Sequence, residues 1–379
     1  MDRRALLLGA GGALGLGAIG VAPEAARAAP GPRPGPVGPL GIISVADLGA
    51  RGDGRSDDTA AVLAAVAAVA ARNVAGGDAT GIVWFPSGVY TVSAPILVPK
   101  NIKLVGESML ASKLVYSGPR VGLPFVTFGT AGAINVNSGV VGMQVNAGGR
   151  LPWALLMYGP QEGSMLSGAH ICGGTTGGVD VRSRGIEGGC HKFTADHGTW
   201  IWTEGDDGMY GMRFDDANGP LSIRDVTLVG VNRTQPPPAG SAGLWFNGGI
   251  QHVSGVNVER FESHTSIDGW SNFHGDTLSA YGGVTNYIRR RRYDGADPSV
   301  RYSVENLDSG SVETCILDEH AGVTITRARS YSNRSIDSAA WDGPHLTLGA
   351  FHLWVDEQGR LRMKGDAPTS DGDGDLVGS

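Results

Sequence analysis

Residues 49–70 read GARGDGRSDDTAAVLAAVAAVA, a glycine-rich turn, two adjacent aspartates and an alanine-valine run in one stretch. A phosphate-cradling loop would need Lys followed by Ser or Thr after the glycines, within a βαβ unit, and neither is present. A helix start accounts for the same residues. Ser56 stands where an N-cap side chain accepts a backbone N–H, and Asp57 and Asp58 fall in the first turn, where the helix dipole favours negative charge. The stretch therefore predicts a helix over 57–71, with Val62, Val66 and Val69 forming an apolar stripe. Its aspartates are read as beginning a helix and not as a catalytic pair.

Downstream, GIVWFPSGVYTVSAPILVPKNIKLVGES (81–108) breaks apolar runs with Pro, Gly and Asn every few residues, the pattern of one short strand after another. The 61 glycines among 379 residues follow no G-X-Y period and lie between Val, Ile and Phe runs, as in turn-dense all-β proteins. With 41% hydrophobic residues the chain can bury a sizeable core. A net charge of -7 argues against nucleic acid or an anionic membrane as partner, and the run IRRRRY (288–293) is read as a solvated turn or strand edge. Cys172, Cys190 and Cys315 have no metal-like spacing and are read as small buried hydrophobes.

From residue 140 onward, six segments fit an h-x-x-h-x-h pattern: VVGMQV (140–145), LSGAHI (166–171), CHKFTA (190–195), IRDVTL (223–228), VSGVNV (253–258) and FHGDTL (273–278). Their starts are 26, 24, 33, 30 and 20 residues apart, about one coil of a β-solenoid each. A second register places Asp215, Asn247, Asp268 and Asp318 after apolar runs, as a column of repeated turns would. Such coils bury their apolar faces only by stacking, and the helix over 57–71 is the natural N-terminal cap.

The run SVADLGARGDGRSDDTAAVLAAVAA (44–68) followed by residues 81–108 resembles the N-terminal part of the pectate-lyase-like superfamily, in its polygalacturonase-related branch. The motifs are Gly52–Thr59, Phe85–Tyr90 and Leu104–Gly106. The resemblance covers about residues 43–107, and the looser repeats extend it to about 335. It implies an all-β, right-handed parallel β-helix with an N-terminal capping helix, acting on polysaccharide. Polygalacturonase-type enzymes carry Asn-Thr-Asp, Asp-Asp, Gly-His-Gly and Arg-Ile-Lys motifs in successive coils. That series is absent here, so no catalytic residue carries over. FHLWVDEQGRLRMKGDAPTSDGDGDLVGS (351–379) resembles a short C-terminal module of bacteriophage tail proteins and exported β-helix proteins, and its DGDGD run is read as an acidic, mobile tail.

Under the repeat pattern, Asp196 and Glu259 share one outward column two coils apart. At about 4.8 Å per coil they would stand roughly 10 Å apart, near the ~6.5–9.5 Å that leaves room for water in an inverting glycosidase. They are the first acid/base candidates. Asp276 occupies an apolar position of the pattern, and a slip of register would turn it outward beside His274 as another candidate. Asp207, in the acidic stretch after WIW (200–202), is the fourth. His191, Arg224, His274, Asn257 and Trp202 are the substrate-binding candidates, lining a groove along the outward sheet.

The leading reading is a carbohydrate-active enzyme cleaving glycosidic bonds, with a glycoside hydrolase preferred. The alternatives are a polysaccharide lyase working by β-elimination and a non-catalytic, tail-spike-like glycan binder. Hydrolysis needs no cofactor and no metal site is assigned; calcium enters only with the lyase. Arg3 and Arg4 before an apolar run ending at AARAAP predict a twin-arginine-like export signal over 1–28 and a secreted, extracellular or cell-wall-associated protein. A Pro/Gly-rich linker (29–41), a β-helix domain (42–345) and a C-terminal module (346–379) follow. The expected partner is a polysaccharide or oligosaccharide, with no nucleic acid, no membrane once the signal is removed, and a monomeric or trimeric state.

Overall fold

The computed structural model describes residues 41–76, 81–186, 189–204, 208–216, 219–230, 237–268, 271–281, 286–290, 300–309, 314–318, 324–330, 346–348, 351–356, 358–365, 370 and 372–377. From 281 to 350 it describes the backbone alone. The export signal and nearly all of the linker lie outside these residues. No helix among them is long and apolar enough to cross a membrane.

The chain winds through three sheets, one strand of each per coil, and every strand pairs in parallel with its counterpart in the next coil. The first sheet runs from Ile42–Ser44 through Gly81–Phe85, Ile102–Gly106, Gly139–Val141, Met165–Ser167, Thr194–Asp196 and Pro220–Arg224 into the first halves of Ile250–Glu259 and Ser271–Tyr281. The second includes Gly88–Val92, Ser112–Tyr116, Thr199–Thr203, Val226–Val229 and the second halves of those two long strands. The third includes Val126–Phe128, Tyr210–Asp215, Ala242–Asn247, Ser263–Asp268, Asn286–Arg290 and Thr314–Asp318. This is the parallel β-helix that the repeats predict.

The interior is built from aligned apolar columns. Val83, Leu104, Val140, Leu166, Ala195, Ile223 and Val253 stack in register in the first sheet, and all are buried. Leu114, Val145, Ile171, Ile201, Leu228 and Val258 do the same in the second. Phe193, Phe214, Phe246 and Phe273 continue one ring stack through the centre, with centroids 5.8, 5.2 and 6.4 Å apart. Each large apolar side chain so buried contributes roughly 1.5–3 kcal/mol before the entropy of ordering is subtracted.

Between first and second sheets the chain bends through left-handed residues: Gly142, Gly168, the pair His197–Gly198, Asp225, Gly255 and Thr277. Most coils spend one residue on this bend, and the coil through His197 spends two. That extra residue explains one correction to the repeat pattern. Ala195–Ile201, and not CHKFTA, lies on LSGAHI, with Leu166 facing Ala195 and Ile171 facing Ile201. FHGDTL is also displaced, by two residues, so that Gly275 faces Val253 and Leu278 faces Val256. The turn column holds for Asp215, Asn247 and Asp268. Asp318 faces Arg290, which faces Ile267, so it stands one residue off that column. Asn286–Arg290 is paired on both sides and is no sheet edge.

The opening helix spans Thr59–Gly76 and buries Val62, Val66 and Val69, as expected. Its start differs in detail. Ser56 belongs to the strand Asp53–Asp57 and caps nothing. The Asp57 carboxylate instead accepts the Thr59 backbone N–H (2.9 Å), while Asp58, immediately before the helix, turns back to accept the N–H groups of Arg51 (2.7 Å) and Gly52 (3.1 Å). Cys172 and Cys190 are free and buried, and burial pushes the Cys172 thiol up to about 11.

Residues 346–376 form a separate four-stranded antiparallel sheet: Leu346–Leu348, Phe351–Val355, Leu361–Lys364 and Asp375–Leu376. Buried Asp356 joins its turn through ion pairs to Arg360 (2.9 Å) and Arg362 (2.7 Å). Burial alone would raise the Asp356 pKa, but these hydrogen bonds outweigh it and hold the carboxyl far below the usual range. The DGDGD run is therefore not a loose tail: Asp373 pairs with Lys364 (2.8 Å) and Asp375 enters the last strand.

Candidate active site

The structure separates the first candidate pair. Asp196 ends a first-sheet strand facing Ser167, whereas Glu259 ends a second-sheet strand, in a column running through Trp202 and Val229 and on to Tyr281. The left-handed bend lies between them, so they share neither column nor sheet. The Asp196 carboxylate pairs with His197 at 2.6 Å and holds that imidazole's pKa above its ordinary value. His191 sits apart, half-buried, with Nδ1 3.1 Å from Glu162 and no place in either cleft described below. Asp207 lies outside the described residues.

Three other candidates do converge. Arg224, His274 and Asp276 line a cleft of about 520 Å³ on the first sheet together with Ser222, His252 and Ser254. The register makes two columns: Ser222, His252, His274 and, beside it, Arg224, Ser254, Asp276. Asp276 is outward and exposed, as the register slip predicts. Its neighbour Thr277 has φ 53°, a left-handed conformation that a β-branched residue rarely adopts, and donates its hydroxyl to Asp276 at 3.1 Å. The His252 and His274 rings stack at 5.1 Å. Burial, then the neighbouring His274 and Arg224, push the His252 pKa down, which keeps that ring neutral at pH 7.

Across the bend, the same coils form a second cleft of about 450 Å³. Glu259, Asn257 and Trp202 line it with Trp200, Thr227 and Arg260. Asn257 donates to Glu259 at 2.9 Å. The two indoles lie nearly parallel, 5.9 Å apart, steadied edge-on by His170, and Trp200 is 42% exposed. A flat aromatic surface beside fixed hydrogen-bonding groups suits a sugar ring, apolar on its faces and polar at its rim.

The third sheet holds a group that the sequence reading passed over. Phe214, Phe246 and Ile267 point inward and are buried, which turns the flanking residues outward in two columns: Asp180, Arg213, Trp245, Ser266 and Arg182, Asp215, Asn247, Asp268. Asp180 is fully buried and accepts from Arg182 (2.7 Å) and from two nitrogens of Arg213 (2.8 and 3.0 Å). A buried carboxylate persists only when so paired. The Arg213 guanidinium in turn lies 5.1 Å over Trp153, 5.8 Å from Tyr210 and 5.9 Å from Trp245. Beside it, Asn247 donates to Asp215 at 3.1 Å, Arg184 pairs with Asp215 at 3.3 Å, and the Trp245 indole N–H donates to Asp268 at 3.0 Å. The available signal was the Asp/Asn column itself, which is at once a turn and the outward end of three strands.

Residues 42–123 match the family described as "Rhamnogalacturonase A/epimerase, pectate lyase-like", and residues 304–379 match "Capsule depolymerase". The first match falls on the opening coils of the parallel β-helix, so that part of the chain is similar to a pectate-lyase-like family. Particular relatives match only in part. A probable glucan endo-1,3-beta-glucosidase of Arthroderma benhamiae is 34% identical over 94 residues, 24% of this chain and 10% of that protein. A glucan 1,3-beta-glucosidase of Cochliobolus carbonum is 36% identical over 96 residues, 24% of this chain and 11% of that protein. The chain thus spans about a tenth of the length of the curated relatives it matches. Among solved structures, ORF18 of Geobacillus virus E2 aligns over 89% of this chain and 75% of that one at 13% identity, with a TM-score of 0.48.

Proposed function

We propose that this protein is an exported enzyme that cleaves polysaccharide by hydrolysing glycosidic bonds. The observation that carries the reading is the second-sheet cleft, where the exposed Trp200 and the half-buried Trp202 stand beside the hydrogen-bonded Asn257 and Glu259. The names of the two partial relatives and of the C-terminal family support action on polysaccharide and lean toward hydrolysis. Under this reading the chemistry needs only carboxylates and water. Residues 1–28 carry the protein out of the cytoplasm, and the polysaccharide is its partner.

One observation favours β-elimination as a second reading: the first-sheet cleft sets neutral His252, a ready proton acceptor, beside Arg224. Calcium would belong to that reading. Among the described residues no group of three or more His, Cys, Asp or Glu side chains is arranged to hold a metal, so no step is routed through one.

The deciding experiment incubates the full chain with a panel of plant, algal and microbial polysaccharides, following reducing ends and ultraviolet absorbance together. Hydrolysis predicts new reducing ends without absorbance. Absorbing fragments would establish elimination, and no product from any polymer would overturn both in favour of a glycan binder. Light scattering on the same sample separates monomer from trimer.

A further inference from the structure

We infer that one face of the C-terminal four-stranded sheet is a contact surface for a second copy of this chain, an assignment independent of the hydrolase reading. The register sorts the side chains of this sheet onto two faces. Leu353 faces Met363 and Val355 faces Leu361, so these four share a face with Phe351, two residues before Leu353 on the same strand. Met363 faces Asp375, which brings Val377, two residues further on, to the same side. Trp354, Arg362 and Lys364 lie on the other face. Burial is inverted relative to a sheet that covers its own core. Phe351 is 50% and Val355 60% exposed, and Leu361, Met363 and Val377 are exposed with them, whereas Trp354 is buried and Arg362 nearly so. The charged face is the covered one, and the apolar face looks outward.

Trp354 is the one buried apolar side chain among the described residues of this sheet, and a unit of about 30 residues needs more burial than one indole supplies. The five exposed side chains amount to on the order of 400 Å² of apolar surface, the size at which a patch on a monomer is often functional. Two such faces in contact remove ~800 Å² through these side chains alone, and Leu353 with the backbone between carries that toward the ~1,200 Å² of the smallest stable interfaces. The chemistry of the face selects its occupant. A sugar needs hydrogen-bonding groups at its rim, and Asp375 is the one polar side chain on this side among the described residues of the paired strands. An anionic membrane needs free cations beside the patch, but Arg360 and Arg362 pair with Asp356 and Lys364 pairs with Asp373. The same face on another copy needs neither, because two sheets pack face on face about 10 Å apart through apolar side chains.

Two exposed positions test the contact without entering the core. Val355→Lys and Met363→Lys in one chain place two cations on the face, and Leu110→Lys, at a side chain 75% exposed outside this sheet, is the control. In sedimentation equilibrium of the full chain, wild type and control are expected as one discrete oligomer at about 50 μM that dissociates on dilution toward about 1 μM. The double variant is expected as a monomer throughout, a loss of at least ~100-fold in association, with the wild-type melting transition kept. A second measurement uses wild type alone, and decides the matter if the double variant does not fold. Hydrogen peroxide should oxidise Met363 more slowly at the higher concentration than at the lower, with the partly exposed Met109, outside this sheet, as reference. A wild type that stays monomeric, an oligomer that survives both lysines, an open-ended series of aggregates, or Met363 oxidation indifferent to concentration each overturns the contact. So does a monomer that floats with phosphatidylcholine vesicles, which would give the face to lipid. The hydrolase reading stands or falls separately, on the polysaccharide panel.

Discussion

His264 is fully buried, with Nδ1 3.0 Å from the Thr265 hydroxyl and Nε2 3.2 Å from the Val256 carbonyl. The carbonyl can only accept, so the neutral ring carries its proton on Nε2 and takes the Thr265 hydroxyl hydrogen on Nδ1. Burial pushes its pKa down to about 4, from an ordinary value of 6.5. Because the unfolded chain binds this proton more readily, stability is full above about pH 6.5 and falls as pH drops toward 4. The loss reaches ~3 kcal/mol at most. The melting temperature should fall between pH 7 and pH 4.5, and His264→Gln, less stable at pH 7, should show a flatter profile. An equally steep profile in the variant would remove His264 as the cause. This residue was not legible in the sequence, since nothing in SHTSID (263–268) says that a histidine turns into the core. Asp57 and Asp58 were legible as structural, but their division of labour, one toward the helix and one back toward the preceding turn, depends on how close the glycine turn folds.

At the scale of the element, the left-handed bend between first and second sheets controls which side chains reach which cleft. Gly255 occupies it with φ 62°, and a Cβ there would stand 2.6 Å from an Asp225 carboxylate oxygen. Gly255→Ala should cost ~1–3 kcal/mol, whereas Thr277→Gly, which removes a β-branched residue from the same conformation, should raise the melting temperature. A Gly255→Ala protein as stable as wild type would show that the neighbouring coil shifts freely. This bend also explains what the repeat pattern could and could not show. VVGMQV, LSGAHI, IRDVTL and VSGVNV share a one-residue bend and fall into register directly. The two-residue bend at His197–Gly198 stretches Ala195–Ile201 to seven residues, so the six-residue pattern fell on CHKFTA instead and placed Asp196 on the wrong side of the bend, and the alternation of Phe273, Gly275 and Leu278 offered two phases for one strand.

At the scale of the molecule, the coils are joined through their interior, so a local loss is shared with neighbours and not with distant parts. Phe246 lies mid-way in the phenylalanine stack, and Phe246→Ala should cost ~3–5 kcal/mol. Hydrogen exchange should rise in the strands Tyr210–Asp215 and Ser263–Asp268 while Ile102–Gly106 stays protected. Uniform loss of protection would show that the solenoid unfolds as one unit. The overall fold was readable because the buried columns constrain residue type in every coil. The candidate site was not, because the outward positions carry no such constraint, and Trp153, Tyr210 and Trp245 come together only after three coils of unequal length are closed.

The same stacking fixes a property that a loop-built enzyme lacks. Groups on one face of this molecule can be spaced only in whole coils, so Arg182, Asp215, Asn247 and Asp268 mark out a ruler with one graduation about every 4.8 Å. Side-chain length and rotamer adjust the reading by fractions of a step, but its coarse value is a count. The reach between any two reactive groups on that face is therefore an integer written into the chain, changed by inserting or deleting a coil and hardly at all by bending one.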